Sequence, residues 1–200
     1  MAKTYHHGDL KSAAIKKTVE IIQKKGEVDF TLREIATSLK VSHTAVYRHF
    51  KSKSDLLASI AEEGFTLLVD GFGEAVKDLK TPRQRFQALG RAYIEFALAN
   101  PAHYRAMFHR ELRCEKERRA ELEAIGDKAF VALMNSLQDG MKAHTYRKAD
   151  PAIVARSVWA GIHGFSILLL DGQFQSLNNK AQIKSAIEAH LDFIERSVLK

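Results

Sequence analysis

Residues 31–53 read Thr31-Leu-Arg-Glu-Ile-Ala-Thr-Ser-Leu-Lys-Val-Ser-His-Thr-Ala-Val-Tyr-Arg-His-Phe-Lys-Ser-Lys53, and they divide into two short helices around a tight turn. Thr31 and Glu34 stand three apart, the spacing of a capping box. Leu32, Ile35, Ala36 and Leu39 follow at i, i+3, i+4 and i+7, so one face of this helix is apolar. Ala36 is small where two helices must cross closely. Lys40 and Val41 make the turn, with Val41 directed into the small core. Ser42 caps a second helix, whose Val46 and Phe50 face inward. His43, Thr44, Tyr47 and Arg48 are left on its outer face. Its first turn carries no acid, so its N–H groups and positive dipole end are open to phosphates and base edges. Ser52, with Asp55 three residues on, opens a long third helix with Lys53 at its tip. The arrangement is that of a helix-turn-helix, which places one helix in a DNA major groove.

Thr31-Leu-Arg-Glu-Ile-Ala36, Val41-Ser42, Ala45-Val-Tyr-Arg-His-Phe50 and Lys51-Ser-Lys-Ser-Asp-Leu-Leu57 resemble the N-terminal domain of TetR-family transcriptional regulators. The family pattern closes its recognition helix with Tyr-x-x-Phe and continues Lys-x-x-Leu, here Tyr47, Phe50, Lys53 and Leu56. The match covers about residues 8–57. Lys40 departs from it, standing where family members usually have glycine. A left-handed Lys40 costs the turn roughly 1 kcal/mol against glycine. Tyr5-His-His-Gly-Asp-Leu10 and Trp159-Ala-Gly-Ile-His-Gly164 also resemble one subgroup, named for a Trp-His-Gly signature in its C-terminal domain. The resemblance implies a homodimeric repressor on a near-palindromic double-stranded operator, released by a small apolar effector. The expected DNA-contacting residues are Thr31, Arg33, Ser42, His43, Thr44, Tyr47, Arg48, His49 and Lys53. The His6-His7 pair belongs to a basic arm that in the family can touch the minor groove or backbone.

The charge distribution agrees. The 200 residues carry a net +7. Residues 1–53 hold eleven Lys/Arg against five Asp/Glu, a net +6, which leaves +1 for the other 147. A basic excess serving solubility alone would be spread along the chain, whereas this one is the footprint of a nucleic-acid binder. With 46% hydrophobic residues the chain can build a sizeable core. Cys114 is the single cysteine, which excludes a disulfide framework and a Cys-x-x-Cys metal site and suits a reducing cytoplasm. A lone cysteine is usually inert unless its surroundings favour the thiolate. His109, Glu111 and Cys114 make a poor metal set, because a helix break is expected between them; no metal or cofactor is expected. The N-terminus is polar, and the longest uncharged run, Ser157–Leu170, is too short for an ordinary membrane span.

Pro82, Pro101 and Pro151 each stand where a helix can begin, and apolar spacing of three and four recurs throughout. The chain reads as all-α, with helices near 8–25, 31–38, 42–49, 53–79, 82–99, 101–109, 115–143, 150–170 and 180–199. A three-helix DNA-binding domain is expected over 1–53, and a helical effector-binding and dimerisation domain over 54–200. Residues 152–170 are apolar nearly all round, so both sides need cover. The last helix carries a second apolar stripe. These two helices form either a core within one subunit or a four-helix bundle with a second. In the family the last two long helices form the dimer interface. The expected interface is Ile162, Phe165, Leu168, Leu169, Ile183, Ile187, Leu191 and Ile194.

Bulky residues on inward faces mark a candidate effector pocket: Phe86, Tyr93, Phe96, Met107, Phe108, Phe130, Met134, Trp159 and His163. The same residues also suit a filled core. Enzyme chemistry has little footing, since no Gly-rich phosphate loop, HExxH or nucleophile elbow occurs. A second reading is an architectural DNA-binding protein of the same fold with a protein partner and no effector, as some relatives act in cell division.

Overall fold

The computed structural model describes residues 7–113 and 116–200, with side-chain surroundings over 10–112 and 120–200. Cys114 and the arm through His6 lie outside the described residues. The described chain is all-α. Its helices are α1 (His7–Lys25), α2 (Leu32–Ser38), α3 (His43–Tyr47), α4 (Lys53–Val76), α5 (Pro82–Ala99), α6 (Pro101–Met107), α7 (Lys116–Lys142), α8 (Pro151–Leu170) and α9 (Lys180–Arg196). A 3-10 turn, Arg110–Arg113, precedes α7.

Caps set most boundaries. Thr31 Oγ accepts from the Glu34 N–H at 3.1 Å, and Ser42 Oγ from the Ala45 N–H at 3.2 Å. Ser52 Oγ accepts from the Asp55 N–H at 3.1 Å, while the Asp55 carboxylate reaches back to the Lys51 N–H at 3.0 Å. Asp150 and Asn179 cap α8 and α9 in the same way. Thr81 and Gln84 exchange hydrogen bonds as a capping box ahead of Pro82. Lys40 does adopt the left-handed conformation, at φ 56°. Its N–H bonds to Thr37 and that of Val41 to Ala36, the pair of bonds that defines a Schellman stop. Val41 is half-buried beside this turn.

Several helices are shorter than the sequence suggests. α4 ends at Val76, three residues early; the chain then tightens, with the Leu79 N–H bonded to the Val76 carbonyl at 3.1 Å, and Arg85 donates to the Leu79 carbonyl at 2.9 Å. α9 ends at Arg196, where the chain turns back and the Arg147 N–H bonds to the Val198 carbonyl at 2.9 Å. The Arg147 partner of Val198 is far along the chain, so that stop is not visible in helical periodicity.

The chain packs as two compact units, and this division does not fall at residue 53. One unit comprises residues through Phe65 with Asn100–Glu123; the other comprises Thr66–Ala99 with Ala124–Lys200. In the first, α1, α2 and α3 pack on one another, and α6 packs on α1. Ile22, Phe30, Ile35, Val46, Phe50, Leu56 and Ile60 are its buried core. In the second, α5 packs on α8 and α9. Gly90 of α5 permits this, since an added Cβ would lie 2.5 Å from Leu191 Cδ2 and 3.3 Å from Ile162 Cδ1. Buried Glu195 accepts from Arg83 Nε at 3.1 Å, Gln87 Nε2 at 2.8 Å and Tyr146 OH at 3.3 Å. Burial, with the Glu195 charge beside it, pushes the Tyr146 phenol upward.

Gly140 tests this packing. A Cβ there would overlap the buried Tyr146 ring. Gly140→Ala should therefore cost about 1–3 kcal/mol, as overpacking does. Gly71→Ala, where a Cβ meets open space, should instead stabilise α4 by about 0.5–1 kcal/mol. Urea melts followed by circular dichroism compare the two; equal midpoints would show that the ring is not held in place.

Candidate nucleic-acid interface and effector cavity

The outer face of α3 is built as expected. Val46 and Phe50 are buried and anchor it, while His43, Thr44, Tyr47 and Arg48 are exposed, Tyr47 by 47%. Thr31 and Arg33 at the start of α2 are also exposed. The oxygens of Thr31 and Ser42 already accept backbone N–H bonds, so toward a phosphate each offers its O–H. His49 is half-buried.

Lys53 departs from the expected outward-facing tip. Its Nζ donates to Glu111 Oε1 at 3.1 Å and to the Val28 carbonyl at 3.3 Å, and lies 5.3 Å from the Phe30 ring centre. The long side chain covers the Phe30 ring and closes an ion pair across 58 residues of sequence. Beside it, burial pushes the His109 imidazole down, Glu111 pulls it up, and Lys53 and Arg110 push it down further. An ion pair this exposed is worth at most about 1 kcal/mol. Glu111→Gln should therefore free Lys53 and raise affinity for all DNA sequences alike, by up to about fivefold at low salt. Fluorescence anisotropy on two unrelated duplexes reads this, and unchanged binding to both would mean that Lys53 never reaches DNA.

The nine expected pocket residues are divided between the two units. Met107 and Phe108 belong to the first unit, where Met107 packs on Gly64 and Phe108 meets the rings of Phe65 and Tyr104. The other seven are in the second. Phe86 is buried against Tyr146 and Phe96 is buried in the core. Trp159 Nε1 donates to Tyr93 OH at 3.2 Å, and Tyr93 OH is 2.9 Å from His163 Nδ1. Because the phenol accepts from Trp159, its single proton points at Nδ1, which fits a neutral His163 protonated on Nε2. Burial pushes the His163 imidazole down, in the same sense. Phe130 meets the Trp159 ring edge-on at 6.5 Å, and Met134 is half-buried.

An open cavity of about 440 Å³ lies elsewhere in the second unit and is lined by none of these nine. Val69, Phe72, Gly73 and Val76 of α4 and Leu89 of α5 form much of its lining. From α7 come Lys128, Ala132, Asn135, Ser136 and Asp139, and Lys77 and Arg85 complete it. The sequence signals that mark this site are a glycine inside an apolar helix stretch and basic residues at helical spacing beside apolar ones.

A family model described as bacterial regulatory proteins, tetR family, matches residues 14–60. A second, described as tetracyclin repressor-like, C-terminal domain, matches residues 86–194, more than half of the chain. The chain belongs to the TetR family. It is 29% identical over 143 residues to the HTH-type transcriptional activator FasR of Mycolicibacterium smegmatis. That alignment covers 70% of this chain and 64% of FasR, so the chain spans less than two thirds of that relative. A TetR-family regulatory protein from Rhodococcus RHA1 has the same fold, with a TM-score of 0.78 and 24% identity over 94% of this chain and 96% of that one. The TetR-family regulator PfmR of Thermus thermophilus superposes with a TM-score of 0.75 and 21% identity, covering 92% and 97%.

As a member of the TetR family, the chain carries the domain pair of a DNA-binding transcriptional regulator. The residues expected at an interface on α8 and α9 divide between inner and outer positions. Ile162, Ile187 and Leu191 are buried within the chain, Ile162 and Leu191 against Gly90 of α5. Phe165 stacks on His190 at 4.2 Å between ring centres, and Ile194 packs toward Gly161. Phe165, Leu169, Ile183 and Ile194 are half-buried. The outward apolar surface is instead Ile153, Trp159, Leu168 and Phe193, with Phe193 71% exposed. α8 is also long and apolar enough, by length and composition, to cross a membrane, which the 14-residue uncharged run understates because apolar residues continue past Arg156. It nevertheless packs along α5 and α9, burying Ala155, Val158, Ile162 and Ser166.

Proposed function

We propose that this TetR-family regulator acts in the cytoplasm as a homodimeric repressor that holds a near-palindromic operator and releases it when a small, largely apolar effector binds. One observation carries the reading. The helix that begins directly after the exposed recognition helix, α4, lines an open cavity with its far end. An effector wedged against Phe72 and Val76 bears on the same continuous helix whose first turn follows the DNA-binding residues. An effector that binds the DNA-free form about 100-fold better weakens operator binding by roughly 2.7 kcal/mol. The outward apolar surface of α8 and α9 supports the homodimer, because a two-fold pair would cover it.

FasR bears the name of an activator, so the sign of regulation is part of the test. Duplexes selected from a random pool by the purified protein should converge on one inverted repeat. A reporter driven from a promoter overlapping that repeat should be silenced by the protein and restored by effector. Selected sequences without symmetry would remove the dimeric-operator reading, and a reporter switched on by the protein would remove the repressor.

The architectural reading, with a protein partner and no effector, is favoured by one observation: Tyr93, His163 and Trp159 hydrogen-bond to one another rather than standing open to a ligand. It predicts sequence-selective DNA binding that no small molecule changes.

A further inference from the structure

The cavity in the second unit carries chemistry that restricts its occupant. Its floor is apolar, from Phe72, Val76, Leu89 and Ala132. Within that floor the Ser136 hydroxyl is buried and has no hydrogen-bond partner. A buried polar group left unmatched costs about 1–3 kcal/mol, so an O–H there is suited to a ligand oxygen. Gly73 also lines the cavity. It sits inside α4, where glycine weakens a helix, yet a Cβ built on it meets nothing within 4 Å. The cavity therefore has room for a ligand at this position, and a larger side chain there would occupy it.

The charged residues set the sign of the ligand. Asp139 is already paired with Arg85 at 3.5 Å and lies 4.0 Å from Lys142. Lys77 has only a 3.8 Å contact with Glu74 on the neighbouring turn, and both side chains are exposed. Lys128 makes no ion pair or hydrogen bond among the described residues. The cavity thus offers two available ammonium groups and no available carboxylate. A cation is repelled there, and a neutral hydrocarbon gains nothing from the two hydrated ammonium groups and leaves the Ser136 hydroxyl unmatched. The volume lies in the range of small-molecule sites.

We propose that the cavity binds an anionic amphiphile, its hydrocarbon chain along the α4–α5–α7 floor and its carboxylate held by Lys77 and Lys128. The Ser136 O–H donates to a ligand oxygen. This rests on the effector reading above and names the class of molecule that reading requires.

The test uses the full chain and three ten-carbon probes below their micelle concentrations: decanoate, decanol and decyltrimethylammonium. Calorimetry measures binding, and anisotropy of a labelled operator measures release. Decanoate should bind up to about fivefold tighter than decanol, the upper worth of one exposed ion pair, and the ammonium weakest. Joint replacement Lys77→Glu with Lys128→Glu should reverse the order of decanoate and the ammonium. Gly73→Leu should abolish binding of decanoate while the melting temperature holds or rises, which separates a filled cavity from an unfolded protein. Equal binding of decanol or the ammonium, no binding of any probe, or decanoate binding that survives Gly73→Leu each overturns the proposal. Selective decanoate binding with unchanged operator affinity upholds the ligand assignment and overturns the effector reading instead.

Discussion

Phe193→Glu is expected to yield a folded monomer that binds operator DNA roughly 100-fold more weakly, because the second half-site is no longer presented on the same particle. Phe193 is 71% exposed and Leu168 42%, so a glutamate at either place leaves the protomer core intact. Across a two-fold interface the same carboxylate is stripped of water with no partner, which costs several kcal/mol. Ile187→Glu provides the contrast. Ile187 is only 5% exposed within the protomer, so that substitution attacks the fold itself and should lower helicity and melting temperature together. Light scattering separates monomer from dimer, and circular dichroism separates a split dimer from an unfolded chain. Dimers that persist in both the Phe193 and the Leu168 variants place the interface on another surface.

The contrast between Phe193 and Ile187 marks the limit of periodicity as a guide. A stripe along α9 shows that apolar residues must be covered. It does not show whether the cover is α5 of the same chain or a second copy. For α8, apolar nearly all round, both covers were foreseen, but the assignment of Ile162 to the inner side follows from the close approach of Gly90. The helix-turn-helix was legible for the opposite reason. Its determinants are local: Thr31, Ser42 and Ser52 each satisfy an N–H three residues ahead, and Lys40 closes the turn within five residues. What the sequence did not disclose depends on distant partners. The inward turn of Lys53 requires Glu111, 58 residues away, and the end of α9 is met by Arg147. Of the aromatic residues on the expected inward faces, Phe86, Tyr93 and Phe96 are buried, whereas Trp159 is 39% exposed. A hydrophobic pattern reports which faces point inward but not whether the space between them is filled, so the cavity appears beside α4 rather than among the largest side chains.

The second large effect is expected on DNA recognition, where variants of exposed residues should separate affinity from sequence preference. Tyr47 and Arg33 stand on the outer surface of the first unit with no role in its buried core. Tyr47→Phe and Arg33→Ala should weaken binding to operator and to unrelated duplexes by similar factors, because contacts to phosphate carry no base information. His43 and Thr44 occupy the first turn of α3, where a recognition helix presents side chains to base edges. His43→Ala and Thr44→Ala should shift preference at one or two positions of each half-site by about 1–3 kcal/mol per base pair. None of these side chains is buried, so all four variants should keep the parent melting temperature. Salt supplies an independent check. If the parent dimer neutralises roughly 6–10 phosphates, log K falls against log salt with a slope near −5 to −9, and Arg33→Ala reduces its magnitude by about 1 for each protomer. Thr44→Ala removes no charge and should leave the slope unchanged. A selection experiment on each variant reads base preference directly. Identical sequence profiles for the parent, His43→Ala and Thr44→Ala, together with a slope near zero, would remove α3 from the DNA groove.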